Sequence, residues 1–203
     1  MKKVLCIIGI LLIGLSACAK KTDEEIFYSS QKKLNKMESY SCEIEITSIG
    51  NKTPQKYKVR QWFKKPNMYK LEVMKPENLK GKTTLSDGDK TYIYHPQIDQ
   101  IWMVQRSSKE KNLFLGYFLD NCLKSEDSTI GTKVKDHMEY VVIDTNIPGN
   151  HPYYSKERLW IHTKNLKPAY LEIFDNKGNT RIFIEYCKFV YDPKLSEEFF
   201  RIK

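Results

Sequence analysis

Leu85-Ser86-Asp87-Gly88-Asp89-Lys90-Thr91-Tyr92-Ile93-Tyr94-His95-Pro96 decides how this chain folds. Its centre, Ser86 to Lys90, consists of residues that favour turns, and Gly88 accepts the left-handed backbone that a two-strand reversal needs. On either side, Thr83–Leu85 and Thr91–His95 carry β-branched and aromatic residues that favour an extended backbone. The stretch is therefore a tight hairpin, and its two-residue period extends outward in both directions.

Upstream, Ile44 and Ile46 alternate with Glu43, Glu45 and Thr47 from Tyr40 onward, and Ile49-Gly50-Asn51 closes that run. Tyr57–Lys64 and Met68–Met74 follow as strands, parted by Lys65-Pro66-Asn67. Downstream, Ile98–Gln105, Met138–Asp144, Glu157–His162, Ala169–Asp175 and Thr180–Val190 read as further strands, and Asp175-Asn176-Lys177-Gly178-Asn179 turns the last pair. Thr22 with Glu25 predicts a capping box. The helix it opens places Ile26, Ser30, Leu34 and Met37 on one face. Ser107 with Glu110 predicts a second box, opening a helix through Leu113, Phe114, Tyr117, Phe118 and Cys122. Ser196-Glu197-Glu198 starts a short terminal turn that brings in Phe199 and Phe200. Tight turns between consecutive strands imply antiparallel pairing, because βαβ crossovers need a dozen or more connecting residues. The expected fold class is α+β: a curled antiparallel β-sheet of about nine to eleven strands, a half-open barrel, with helices packed on its concave side.

The first residues read differently. Met1-Lys2-Lys3 is a charged start, Val4 to Leu15 an apolar run of twelve residues, and Leu15-Ser16-Ala17-Cys18 a lipobox. The run is shorter than the roughly 20 apolar residues that span a bilayer. Residues 1–17 are thus expected to be a lipoprotein signal peptide, and Cys18 the site of diacylglyceryl attachment, with acyl chains such as palmitate. Residues 18–21 form a short tether and 22–203 a single domain. Removing residues 1–17 leaves 186 of 203 residues and, with Lys2 and Lys3 gone, lowers the formal charge from +9 to +7. The lysines are dispersed, so they describe a solvated surface; no nucleic-acid motif accompanies them. Past Cys18, only Cys42, Cys122 and Cys187 remain, which suits free thiols, or one pair such as Cys42 with Cys187.

No catalytic pattern emerges. His95, His137, His151 and His162 stand apart, with no cysteine or carboxylate at metal-ligand spacing. The few glycines form no P-loop, GxGxxG or G-x-S-x-G, so neither a cofactor nor a metal is expected. Aromatics are more informative. Trp62, Trp102 and Trp160 fall on strands, and Arg60 and Lys64 flank Trp62 on its own face. These three residues are the candidate partner-binding set, since Trp and Arg concentrate in interface hot spots. The alternative is ordinary sheet packing.

The opening hairpin, with Gln100-Ile101-Trp102 after it, resembles the DGK-x-x-[WY]-x-Y-x-P…Q-x-W hairpin of LolA/LolB-like proteins. Leu159-Trp160-Ile161-His162, Leu166-Lys167-Pro168 and Leu171-Glu172-Ile173-Phe174-Asp175 resemble that superfamily's LWID…LP…E strand pair. The resemblance implies a curled sheet closed by helices and, in some members, a carrier of lipid or lipoprotein acyl chains. Within the superfamily, the lipobox, basic balance and length resemble the GerS family of clostridial spore-germination lipoproteins. That resemblance implies a non-enzymatic lipoprotein held outside the cytoplasm, on forespore membranes facing the cortex. It would bind and activate a metal-dependent cell-wall N-acetylmuramoyl-L-alanine amidase that holds its own metal, allowing muramic-δ-lactam to form in the spore cortex before germination. A homodimer is compatible with this reading. The alternative function is a carrier with an apolar half-barrel cavity, which should hold an open space of roughly 300–1,000 Å³.

Overall fold

Thr22 caps the first helix as the sequence requires. Its hydroxyl accepts from Glu25 N while the Glu25 carboxylate accepts from Thr22 N, completing the capping box. A computed structural model describes residues 22–50, 53–104 and 111–202. Helix α1 (Asp23–Lys36) buries the predicted stripe, with Ile26, Ser30, Leu34 and Met37 all 5% exposed or less. Eleven strands follow: β1 (Ser39–Ser48), β2 (Gln55–Lys64), β3 (Met68–Lys75), β4 (Thr83–Asp87), β5 (Thr91–His95), β6 (Gln100–Val104), β7 (Thr129–Lys135), β8 (Met138–His151), β9 (Tyr154–His162), β10 (Pro168–Phe174) and β11 (Thr180–Tyr191). Helix α2 (Leu115–Lys124) separates β6 from β7, and a 3₁₀ turn at Glu197–Phe200 closes the described chain.

All eleven strands belong to one antiparallel sheet, ordered β6-β5-β4-β3-β2-β1-β11-β10-β9-β8-β7. Two meanders share the central β1–β11 pair, and the ends of the sheet, β6 and β7, are not paired with each other. The sheet is therefore curled and open, an α+β half-barrel. The chain leaves one edge at β6 and re-enters at the other edge with β7, so the connection has to cross the sheet. Helix α2 makes that crossing along the concave face, with Phe114, Leu115 and Phe118 fully buried. Gly116 permits the close approach: a Cβ there would lie 2.0 Å from Phe63 Cζ on β2.

Local chemistry fixes the turns. Asp87 Oδ1 accepts from Asp89 N and Lys90 N, and Gly88 takes φ 105°, so the deciding hairpin forms as expected. Asp175 gathers Lys177 N, Asn179 N and the Arg181 guanidinium around one carboxylate, which sets the β10–β11 turn. Asp192 Oδ1 accepts from Glu38 N and Ser39 N, tying the exit of β11 to the entry of β1.

Three expectations need correction. Thr129–Lys135 is a strand that the sequence does not announce, because its sparse apolar positions, Ile130 and Val134, are exposed at the sheet edge. Strand β8 continues past Asp144 to His151, and β9 begins at Tyr154, because the two strands form a long arm. The described second helix starts at Leu115, with Phe114 at its N-cap and no side-chain cap; Ser107 and Glu110 lie outside the described residues. Of the two readings of the cysteines, free thiols hold and the Cys42–Cys187 pair does not: Cys42, Cys122 and Cys187 are all free. Cys42 is buried in the concave core, whereas Cys187 follows core-facing Tyr186 and points to the convex side.

Candidate functional site

The middle of the concave side is filled by the protein's own side chains. Phe63, Tyr69, Phe114 and Tyr117 stack edge-on and tilted, with ring centroids 4.5–6.4 Å apart. A buried hydrogen-bond network then locks α2 to the sheet. Tyr40 Oη donates to Gln61 Oε1 (2.8 Å) and accepts from Leu115 N (3.0 Å), while Gln61 Nε2 donates to the Leu113 carbonyl (3.1 Å). Tyr40 thus satisfies one of the orphan amides at the N-terminus of α2 in place of a side-chain cap. Farther along the helix, Asn121 Nδ2 donates to Glu157 Oε1 (2.8 Å) on β9. Glu157 is fully buried and its Oε2 has no hydrogen-bond partner, so burial pushes its carboxyl up to about 8 despite the Asn121 bond. Burial, with Glu157 adding to it, also pushes the neighbouring Cys122 thiol up to about 12.

The convex side is where the candidate binding residues meet. Arg60, Trp62 and Lys64 alternate outward along β2, opposite the core-facing Val59, Gln61 and Phe63. The Arg60 guanidinium lies 5.8 Å from the Trp62 ring. Lys64 turns elsewhere and donates to the Leu195 carbonyl (3.1 Å), pinning the C-terminal segment. That segment lays Phe199 edge-on against Trp62 at 5.3 Å, and the Lys70 ammonium sits over both rings, at 5.6 and 4.9 Å. Trp62 is consequently half-buried rather than free.

Beside it opens a groove of about 810 Å³, lined by Lys70, Leu85, Tyr92, Tyr94, Phe199 and Arg201 among others. Lys70, Phe199 and Arg201 could not be picked from the sequence, because β2–β3 pairing and the return of the C-terminus bring them to this face. The groove borders strand β6, where Ile101, Trp102 and Met103 are exposed.

Other chemistry is dispersed. Among the described residues, no group of three His, Cys, Asp or Glu side chains converges to hold a metal ion. Burial pushes the His162 imidazole down; it packs 5.0 Å from Tyr140. Cys18 lies outside the described residues.

A curled, open antiparallel sheet whose crossing helix fills its concave side defines a LolA-like α+β protein. The chain belongs to the sporulation protein YdcC-like family, whose model matches residues 1–200. It is 24% identical to the sporulation protein YdcC of Bacillus subtilis (strain 168) over 200 residues, 97% of this chain and 59% of that relative, so it spans about three-fifths of the relative's length. It also matches a chain in the structure of the CwlD amidase from Clostridioides difficile in complex with the GerS lipoprotein. That match has 32% identity, covers 85% of this chain and 97% of the other, and has a TM-score of 0.51. A putative outer membrane lipoprotein-sorting protein domain from Vibrio parahaemolyticus shares the fold, at 12% identity, 87% and 94% coverage and a TM-score of 0.50. The LolA-like resemblance read from the hairpins and the GerS resemblance read from the lipobox, basic balance and length therefore both hold.

Proposed function

We propose that this protein is a non-enzymatic, extracytoplasmic lipoprotein that docks and activates a cell-wall N-acetylmuramoyl-L-alanine amidase during sporulation. The observation that carries this reading is the 32% identity, over 85% of the chain, to a component of an amidase–lipoprotein complex. The filled half-barrel supports it against the carrier alternative. An acyl chain would have to displace Phe114, Leu115 and Phe118, which are fully buried against the sheet. In this reading residues 1–17 are the signal, Cys18 carries the diacylglyceryl anchor, and residues 22–203 form the docking domain. Two long acyl chains give stable membrane attachment. The partner supplies the catalytic metal; activation would permit muramic-δ-lactam formation in the cortex and, later, germination.

The convex groove beside Trp62 is the docking face that best fits this function. It joins Tyr92, Tyr94 and Phe199 to Lys70 and Arg201, with Asp99 and Glu198 beside them and Trp62 with Arg60 next to it, and Trp, Tyr and Arg concentrate in interface hot spots. The experiment is reconstitution: amidase alone, lipoprotein alone and the two together on peptidoglycan, followed by capture of the complex. The expected result is no release by the lipoprotein alone, higher amidase activity with both, and loss of the complex with the Lys70→Glu/Arg201→Glu pair. Cleavage by the lipoprotein alone, or stoichiometric lipid with no protein partner, would overturn the proposal.

A further inference from the structure

On the concave side, helix α2 and the β8–β9 arm enclose a recess of about 490 Å³ that shares no lining residue with the convex groove. The arm bends over it. Strands β8 and β9 lose register between Asn146 and His151, and Gly149 and Asn150 take φ values of 110° and 50°. A register break of this kind bends a strand and re-aims its side chains. From the other wall, α2 presents Tyr117, Asn121 and Lys124, which share a helical face at i, i+4 and i+7.

Asn121 is held, not merely present. Its Nδ2 is committed to the buried Glu157 carboxyl, so its amide oxygen is turned the other way, as a fixed acceptor at the recess wall. Groups positioned before a ligand arrives bind at a lower ordering cost. Tyr154 forms an aromatic wall opposite, with His151 4.9 Å from its ring, and Asn67 closes one end. Lys111 and Lys124 line the recess with one carboxylate, Asp120, and the Lys111 ammonium lies 5.6 Å from the Tyr117 ring centre. The volume falls in the range of small-ligand sites, and three amides, two tyrosines and a histidine share the wall with Ile147 and Pro148. That mix of amide and aromatic surface suits a sugar. The C–H face of a pyranose lies on a tyrosine ring, hydroxyl and acetamido groups exchange hydrogen bonds with asparagine, and a carboxylate pairs with an ammonium.

We infer that this recess binds a carboxylate-bearing amino sugar, with its ring between Tyr117 and Tyr154, its acetamido and hydroxyl groups on Asn121 and Asn67, and its carboxylate on Lys124. Such a site does not depend on amidase docking, which uses the opposite face of the sheet.

The test is saturation-transfer NMR on the full chain in detergent micelles. N-acetylmuramic acid and N-acetylglucosamine serve as probes, because they differ by a lactyl ether carboxylate. The expected result is transfer to ring and acetyl protons of both sugars, with the acid bound about tenfold more tightly, the fold-change of one charge-assisted contact. Lys124→Glu, an exposed position whose change leaves the fold intact, should remove that preference and leave N-acetylglucosamine unaffected. Asn121→Ala should weaken both sugars, with circular dichroism confirming that the domain remains folded. Absence of transfer from either sugar, or transfer that both substitutions leave unchanged, would overturn the assignment.

Discussion

Glu157→Gln should stabilise this protein at pH 8 and leave it almost unchanged at pH 5. Glu157 faces the concave interior with no solvent exposure, and burial pushes its carboxyl from 4.5 to about 8 against a single hydrogen bond from Asn121. Between those two values the folded protein holds a proton that the unfolded chain has released. Stability therefore falls as pH rises, by about 1.4 kcal/mol per pH unit, to a total of about 5 kcal/mol across the window. The contribution is fully present below 4.5 and is lost as pH passes through about 8. Glutamine keeps the shape and still accepts from Asn121 but does not titrate. The stability difference between variant and parent should thus grow from near zero at pH 5 to several kcal/mol at pH 8, or about 10 °C in Tm.

Urea unfolding followed by tryptophan fluorescence, at half-unit steps from pH 5 to 8.5, measures this difference directly. Neighbouring groups do not mimic it. Burial, joined by the charge of Glu157, holds the Cys122 thiol at about 12, and burial raises the Tyr186 phenol too. For Asp175, burial acts upward but the Asn179, Arg181 and Lys177 hydrogen bonds prevail and hold it at about 2, below the window. Desolvation pushes His162 down, which makes stability rise with pH near its titration, but this term is common to both proteins and cancels in the difference. Parallel stability curves for parent and variant would refute the reasoning, because they would mean that Glu157 is already ionised in the folded state.

Gly116→Ala should destabilise the domain by about 1–3 kcal/mol, read as a lowered Tm, because the new methyl enters the Phe63 ring; Phe63→Leu should recover part of that loss. Tyr40→Phe should cost about 1–3 kcal/mol in denaturant unfolding, since it strips a partner from both Gln61 Oε1 and Leu115 N in the interior. Cys18→Ala should abolish acylation and move the protein out of the detergent phase; unchanged partitioning would sink the lipobox reading.

The strands were legible where one face is apolar and the other polar. β1 reads Ile44 and Ile46 inward against Glu43 and Glu45, and the hairpin at Gly88 has the turn chemistry its geometry demands. β7 escaped because an edge strand backed by little core can carry lysine and threonine on both faces, which blurs the two-residue period. The site was less legible than the fold. Trp62 and Arg60 are two residues apart and could be paired by eye, but Lys70 arrives through cross-strand register and Phe199 from 137 positions away. Asn121 gave no signal at all: its role rests on Glu157, which sequence pattern alone assigns to an ordinary strand.

Topology explains why the open surfaces of this molecule lie on its outer face and rims. Two meanders joined at β1–β11 leave β6 and β7 at opposite edges, and the chain must travel between them. A loop over the convex face would leave the half-barrel open to solvent or ligand. Here the crossing segment is instead an amphipathic helix pulled tight by Gly116, anchored by Tyr40 and Gln61 at one end and by Glu157 at the other. The volume that a carrier would offer to an acyl chain is taken up by Phe114, Leu115 and Phe118. What remains open is an aromatic groove outside, where Lys70 and Arg201 stand beside Asp99 and Glu198, and a recess at the edge of α2 whose wall mixes amides and tyrosines with Ile147 and Pro148. The anchor of α2 on Glu157 also couples stability to the recess: Glu157→Ala, which removes the acceptor as well as the titrating group, should change both the pH dependence of stability and the geometry of Asn121.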